Sequence, residues 1–211
     1  MSAHPQQAPL PADLHPDGTL KGEAYETRQT GERKEDWIPN PANSLKLSEP
    51  KRKLLEDVLA LYCGQPSVER VRRYAPDAVY DDPLSYANDR YQIAGQWFAL
   101  PKMARCENKG YEVVRDEPET WSFPPLPASV TLNSLVTLTL DPETAQSDWP
   151  TIKYHKDQAS EKDYTHTGLG QKIKEWQAKG TAAILPDERL KEFEADRTDE
   201  MRGGKREYAQ D

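Results

Sequence analysis

Apolar positions along this chain follow distinct rhythms, and each predicts a different kind of element. Leu54, Leu55, Val58, Leu59 and Tyr62 recur at helical spacing, so one helix is expected from near Ser48 until Gly64 stops it. Ser48-Glu49-Pro50 fits its start: a capping hydroxyl, an early acid and a proline in the first turn. Ser67 can cap a second, short helix in which Val68, Val71 and Tyr74 share a face and which Pro76 ends. Residues 78–82 read as a short strand, with Tyr80 and Asp82 on one face and Val79 and Asp81 on the other. A third helix is expected from about Asp89 or Arg90, burying Ile93, Ala94, Trp97 and Phe98.

Beyond it the period changes to two. Residues 110–117 alternate loosely, and 118–127 form a proline-rich loop expected to lie outside any hydrogen-bond ladder. Residues 130–140, rich in Thr, Val and Leu, are the clearest strand; 142–149 turn, and 151–158 pair back as a last long strand. Leu169, Ile173 and Trp176 then mark a final helix over 168–179. Helices first and an antiparallel sheet afterwards is an α+β pattern.

Composition divides the chain further. Only 36% of the 211 residues are hydrophobic, 30% are charged and 18 are proline, which fits one ordinary domain between polar flanks. We therefore read 1–47 as a disordered arm, 48–180 as the α+β domain, and 181–211 as a charged, partly helical tail. In the arm, Trp37 and Ile38 are the apolar pair expected to pin its end to the domain; in the tail, Leu190 and Phe193 give a solvated helix a narrow face. A formal net charge of −8 argues against general nucleic-acid or anionic-membrane binding, since both need basic surface. Cys63 and Cys106 set no disulfide framework and have no metal-ligand spacing. There is no apolar run of membrane-spanning length and no signal or transit pattern, so the expected location is the cytoplasm, with the nucleus as an addition.

The densest chemistry lies in Tyr74-Ala75-Pro76-Asp77-Ala78-Val79-Tyr80-Asp81-Asp82-Pro83, where a helix breaks and a short strand closes on Asp-Asp-Pro. Over about residues 50–158 the order helix, helix, Tyr-Asp-Asp-Pro, helix resembles the nuclear transport factor 2-like superfamily, in its SnoaL-like and ketosteroid-isomerase-like branch. That resemblance implies a cone: about three helices packed in a strongly curved antiparallel sheet, to which this chain adds a C-terminal helix. It implies work without a cofactor, a small hydrophobic ligand, and a homodimer paired through the open face of the sheet. It also implies that Asp82, directly before the proline, is the general base, with a pKa raised by an apolar neighbourhood. The same cone serves enzymes, binding modules and assembly domains.

The remaining parts of the isomerase arrangement are missing at their expected places. An ungapped count from Asp82 puts the family's first-helix tyrosine at about Val58, with Tyr62 one turn further on. It puts the family's protonated acid near Leu135 or Val136, neither of which donates a hydrogen bond. A second constellation, Tyr154-His155-Lys156-Asp157, places His155 and Asp157 on one strand face. If that face lines the cone, Asp157 can orient His155, and His155 can join Asp82 as a catalytic pair; the alternative turns Tyr154 inward and leaves His155 solvated. Tyr80, Tyr62, Trp97 and Asp157 are the candidate pocket residues. No spacing calls for a metal.

Two function classes follow. One is a binder of a small hydrophobic molecule, extending to a cofactor-independent isomerase, cyclase or dehydratase with Asp82 as base. The other is a non-catalytic dimerising or assembly domain, in which Asp82 merely initiates a turn.

Overall fold

The computed structural model describes residues 39–105, 107–108, 110–113, 115–116, 120–123, 134–159 and 185–197. The Trp37–Ile38 pair and the expected helix over 168–179 lie outside them.

Helix α1 (Glu49–Tyr62) buries the predicted stripe, Leu54, Leu55, Val58, Leu59 and Tyr62, together with Leu61. Ser48 stands at its N-cap in extended conformation, but its hydroxyl makes no capping bond. Gly64 takes φ +69 just past its end, the left-handed conformation that only glycine adopts without strain. Helix α2 (Val68–Val71) is one turn, capped as expected by Ser67, whose Oγ accepts the Arg70 N–H at 3.2 Å.

Tyr74 does not close that helix, contrary to the sequence reading. It opens strand β1 (Tyr74–Asp81). The physical reason is Pro76, which drives Ala75 into extended backbone and leaves the helix no way past Arg72. Pro76 and Asp77 are exposed where the register shifts between Tyr74 and Val79, so the residue lacking an N–H sits in a bulge. Strand β2 (Tyr86–Ala87) follows a tight turn, and helix α3 (Arg90–Met103) starts at Asp89, whose carboxylate accepts the Gln92 N–H at 2.7 Å. Pro101 lies inside its last turn.

The short strands β3 (Arg115–Asp116) and β4 (Thr120–Phe123) precede the long pair β5 (Ser134–Leu140) and β6 (Ile152–Ala159). Part of the proline-rich stretch thus enters the ladder after all, because Thr120 to Phe123 contain no proline and pair with Thr139 to Val136. Six strands form one open sheet in the order β2-β1-β6-β5-β4-β3. All neighbours are antiparallel except β1 and β6, which run parallel at its centre. The architecture is α+β, a curved, unclosed sheet with helices against it, as the residues implied.

The core lies between α1, α3 and one sheet face, which supplies Tyr80, Val136, Leu138 and Leu140. The opposite face is buried as well: Val79 and Tyr154 are 1% exposed and Tyr86 is 3% exposed. A 3-10 helix (Glu188–Asp196) completes the described chain. It is no solvated helix, since Leu190 and Phe193 enter the core and the Phe193 ring packs 6.3 Å from that of Phe98. Arg90 pairs with Asp196 at 2.7 Å, and Arg72 with Glu192 at 3.0 Å.

Candidate active site

Strand parity decides which polar side chains meet. The pairing Tyr80↔His155 puts both on the sheet face that carries the core, and period two brings Asp157 and Asp82 with them. Tyr154 turns to the other face, where its hydroxyl reaches Asp81 Oδ2 at 3.2 Å. Of the two readings of the last strand, the one with His155 facing inward holds.

Helix α1 lays Tyr62 over that face, and α3 adds Trp97. The Tyr62 hydroxyl stands 2.9 Å from His155 Nε2 and 2.9 Å from Asp157 Oδ2. The Tyr74 hydroxyl stands 2.8 Å from His155 Nδ1 and accepts the Trp97 indole N–H at 3.2 Å. Tyr80 donates to Asp82 Oδ2 at 2.8 Å. Ring edges and faces pack tightly around these bonds. Tyr80 meets His155 edge-on at 4.9 Å between centroids and Trp97 at 5.3 Å, while Tyr62 meets Trp97 at 5.0 Å. Such aromatic pairs add about 0.5–1.5 kcal/mol each beyond the area they bury, so the polar atoms are held firmly.

All six sequence-predicted site residues therefore converge: Asp82, His155, Tyr80, Tyr62, Trp97 and Asp157. Their chemistry differs from what spacing alone suggested. His155 is fully buried with both ring nitrogens engaged by tyrosines, and burial pushes its pKa down to about 3. It is a neutral link near pH 7. Asp82 Oδ1 accepts the backbone N–H groups of Leu84 and Ser85 at 2.7 and 2.5 Å, so this carboxylate also builds the turn. Burial raises Tyr62, Tyr74 and Tyr80 above the usual phenol range, which keeps them as hydroxyl donors.

Asp157 is the group poised to titrate. Burial pushes it up to about 7, the Asp82 and Asp81 charges add to the rise, and the Tyr62 and Ser134 hydroxyls offset part of it. Its Oδ1 is buried and has no hydrogen-bond partner among the described residues. Asp157 sits directly across the ladder from Val136. Among the described residues no three His, Cys, Asp or Glu side chains gather as a metal ion would need.

The site residue that sequence reasoning missed is Tyr74. No local signal reports it: the bulge at Pro76 and Asp77 separates Tyr74 from Tyr80 and Asp82, and strand alternation cannot be counted across it.

No family model matches the sequence, and no curated protein matches it. Some solved structures are similar over part of the chain. A candidate isomerase of the SnoaL-like family from Agrobacterium tumefaciens is 15% identical, with 53% of this chain and 98% of that one covered and a TM-score of 0.40. An uncharacterised protein with a cystatin-like fold from Silicibacter pomeroyi is 11% identical, covering 70% and 96% at a TM-score of 0.40. A nuclear transport factor 2-like protein of unknown function from Cytophaga hutchinsonii is 10% identical, covering 55% and 94% at 0.39. Nothing about chemistry follows from these likenesses. No helix among the described residues is long and apolar enough to cross a membrane.

Proposed function

We propose that the inner sheet face binds a small, mostly apolar carbonyl compound and moves a proton on it without a cofactor. One observation carries this reading: a carboxyl poised near neutrality, Asp157, whose Oδ1 is buried and lacks a partner. A protonated Oδ1 donates to the carbonyl oxygen of the ligand and stabilises the enolate that forms. Asp82, which accepts from Tyr80, Leu84 and Ser85, takes the proton from the carbon next to that carbonyl and returns it at another carbon. Bonds and charges balance within one molecule of substrate, which is isomerase chemistry; where a hydroxyl stands β to the carbonyl, Asp82 returns the proton to that oxygen instead, water leaves and a C=C bond forms, which is dehydratase chemistry.

The test is solvent exchange. A panel of cyclic and aromatic ketones incubated with the protein in deuterated water is expected to gain deuterium beside the carbonyl, read by mass spectrometry. Asp82→Asn and Asp157→Asn are each expected to slow this by about 100-fold or more. The absence of exchange, together with the absence of any retained compound in native mass spectrometry of the wild-type protein, overturns the reading.

A non-catalytic role has one observation in its favour: the Tyr62 and Tyr80 protons already go to protein acceptors. Such a domain would show no exchange and bind nothing. A homodimer through the outer sheet face, and a cytoplasmic location, belong to the same proposal. The dimer has the weaker support, because in the single chain that face is already buried at Val79, Tyr86 and Tyr154.

A further inference from the structure

Proton counting gives the buried polar chain a direction. An indole N–H can only donate, so the Trp97–Tyr74 contact uses Tyr74 oxygen as acceptor. Tyr74 then has one proton left to give, and His155 Nδ1 lies 2.8 Å away. Nδ1 is thereby an acceptor, and the single proton of a neutral imidazole belongs on Nε2. From Nε2 it points at Tyr62 oxygen, 2.9 Å away, and Tyr62 directs its own proton to Asp157 Oδ2, also at 2.9 Å. The Tyr74 oxygen could accept from an Nδ1–H as well, but its own buried proton would then have no acceptor among the described residues, so the direction from Tyr74 to His155 is the one that satisfies every group. With Oδ2 already receiving a proton from Tyr62, a proton bound by Asp157 itself belongs on Oδ1, the oxygen with no partner among the described residues.

We propose that Trp97 and Tyr74 are positioning residues that set this direction: they hold His155 with its proton on Nε2, commit the Tyr62 proton to Asp157 Oδ2, and leave Oδ1 as the oxygen that meets a bound molecule. Neither residue touches the ligand in this scheme; they act through His155 and Tyr62. The inference rests on the proposed proton-transfer site for its purpose, but its geometry stands on the ligand-free protein. The groups that bear on Asp157 are Tyr62 from α1, Tyr74, Tyr80 and Asp82 from β1 and its end, Ser134 from β5, and Asp81 from the opposite face. Of these only Tyr74 faces the Nδ1 side of His155, as its donor.

The experiment uses the full chain labelled with 15N-histidine, without ligand, and His155→Gln to assign the signal. The expected spectrum shows a protonated Nε2 and an unprotonated Nδ1. In Tyr74→Phe the Nδ1 nitrogen loses its donor, so the two tautomers come close in energy and the signals move towards a mixture. The Asp157 carboxyl midpoint, followed by 13C NMR, is expected to rise by about one pH unit because Tyr62 no longer gives its proton to Oδ2 alone. Should Tyr74→Phe not fold, Trp97→Phe removes the donor that sets the direction, and the same two readings are taken. A wild-type proton on Nδ1, or folded variants with unmoved tautomer and midpoint, overturns the relay. A silent deuterium-exchange assay alongside an intact relay sinks the proposed reaction alone, so the two failures are distinguishable.

Discussion

Tyr62 reaches Asp157 across 95 positions of sequence, its hydroxyl 2.9 Å from Oδ2. A donor on a carboxylate favours the charged form, so Tyr62→Phe is expected to move the Asp157 midpoint above its present value of about 7. The same variant leaves a buried acceptor, Asp157 Oδ2, and a buried donor, the His155 Nε2–H, short of a partner and is expected to cost about 1–3 kcal/mol in a urea melt. A midpoint that falls would show that the bond is not made in solution.

Asp82→Asn separates charge from turn geometry. The amide oxygen can still accept the Leu84 and Ser85 N–H groups, while the charge that helps to raise Asp157 is gone. The Asp157 midpoint is expected to fall, with stability nearly kept. Asp82→Ala removes the acceptors as well and is expected to cost about 1–2 kcal/mol. If both variants destabilise equally, the charge rather than the turn is what the fold needs.

The pH dependence of stability carries two opposed slopes. His155 has a folded value of about 3 against 6.5 ordinarily, so below pH 6.5 unfolding takes up a proton and stability falls as the solution is acidified. Asp157 has a folded value of about 7 against 3.8, so between these pH values the folded state holds more protons and stability falls as pH rises. Between about pH 4 and 6.5 the two slopes offset one another. Asp157→Asn is expected to unmask the His155 slope, giving a midpoint of chemical denaturation that drops steadily as pH goes from 6.5 to 4. An Asp157→Asn profile as flat as wild type would contradict the buried, neutral His155.

Arg73 is 2% exposed, bonds Asp57 at 2.7 Å and lies with its guanidinium 3.4 Å from the Trp149 ring centroid. Arg73→Ala removes a buried ion-pair partner and is expected to cost about 3 kcal/mol, whereas Arg73→Met keeps the packing stem and costs less. Equal losses, measured by urea melts, would assign the effect to charge alone.

Much of this was readable before any coordinates, and the reason is periodicity. The α1 stripe, the Ser67 cap and the parities of Tyr80 with Asp82 and His155 with Asp157 are local properties of the chain, and all of them hold in the fold. What failed was the competition between neighbouring signals. Tyr74 fits the α2 face by spacing, yet the proline two residues later wins. Thr120 to Phe123 were hidden by the prolines that flank them. The roles of the site residues were harder still. That His155 would be a neutral link and Asp157 the titrating group depends on Tyr62 and Tyr74 arriving from elsewhere in the chain, which no local pattern reports.

The parallel pairing of Tyr74 with Ile152 has a consequence for the order in which this protein takes shape. The centre of the sheet cannot close until the chain has been made past β6, and closing so long a loop is slow compared with forming helices. On the ribosome, α1 and α3 are therefore finished early and wait with Leu54, Val58, Ile93 and Phe98 uncovered. Chaperone binding during synthesis is to be expected over that interval. The tyrosines come first, and His155 and Asp157 arrive on the strand that ends it.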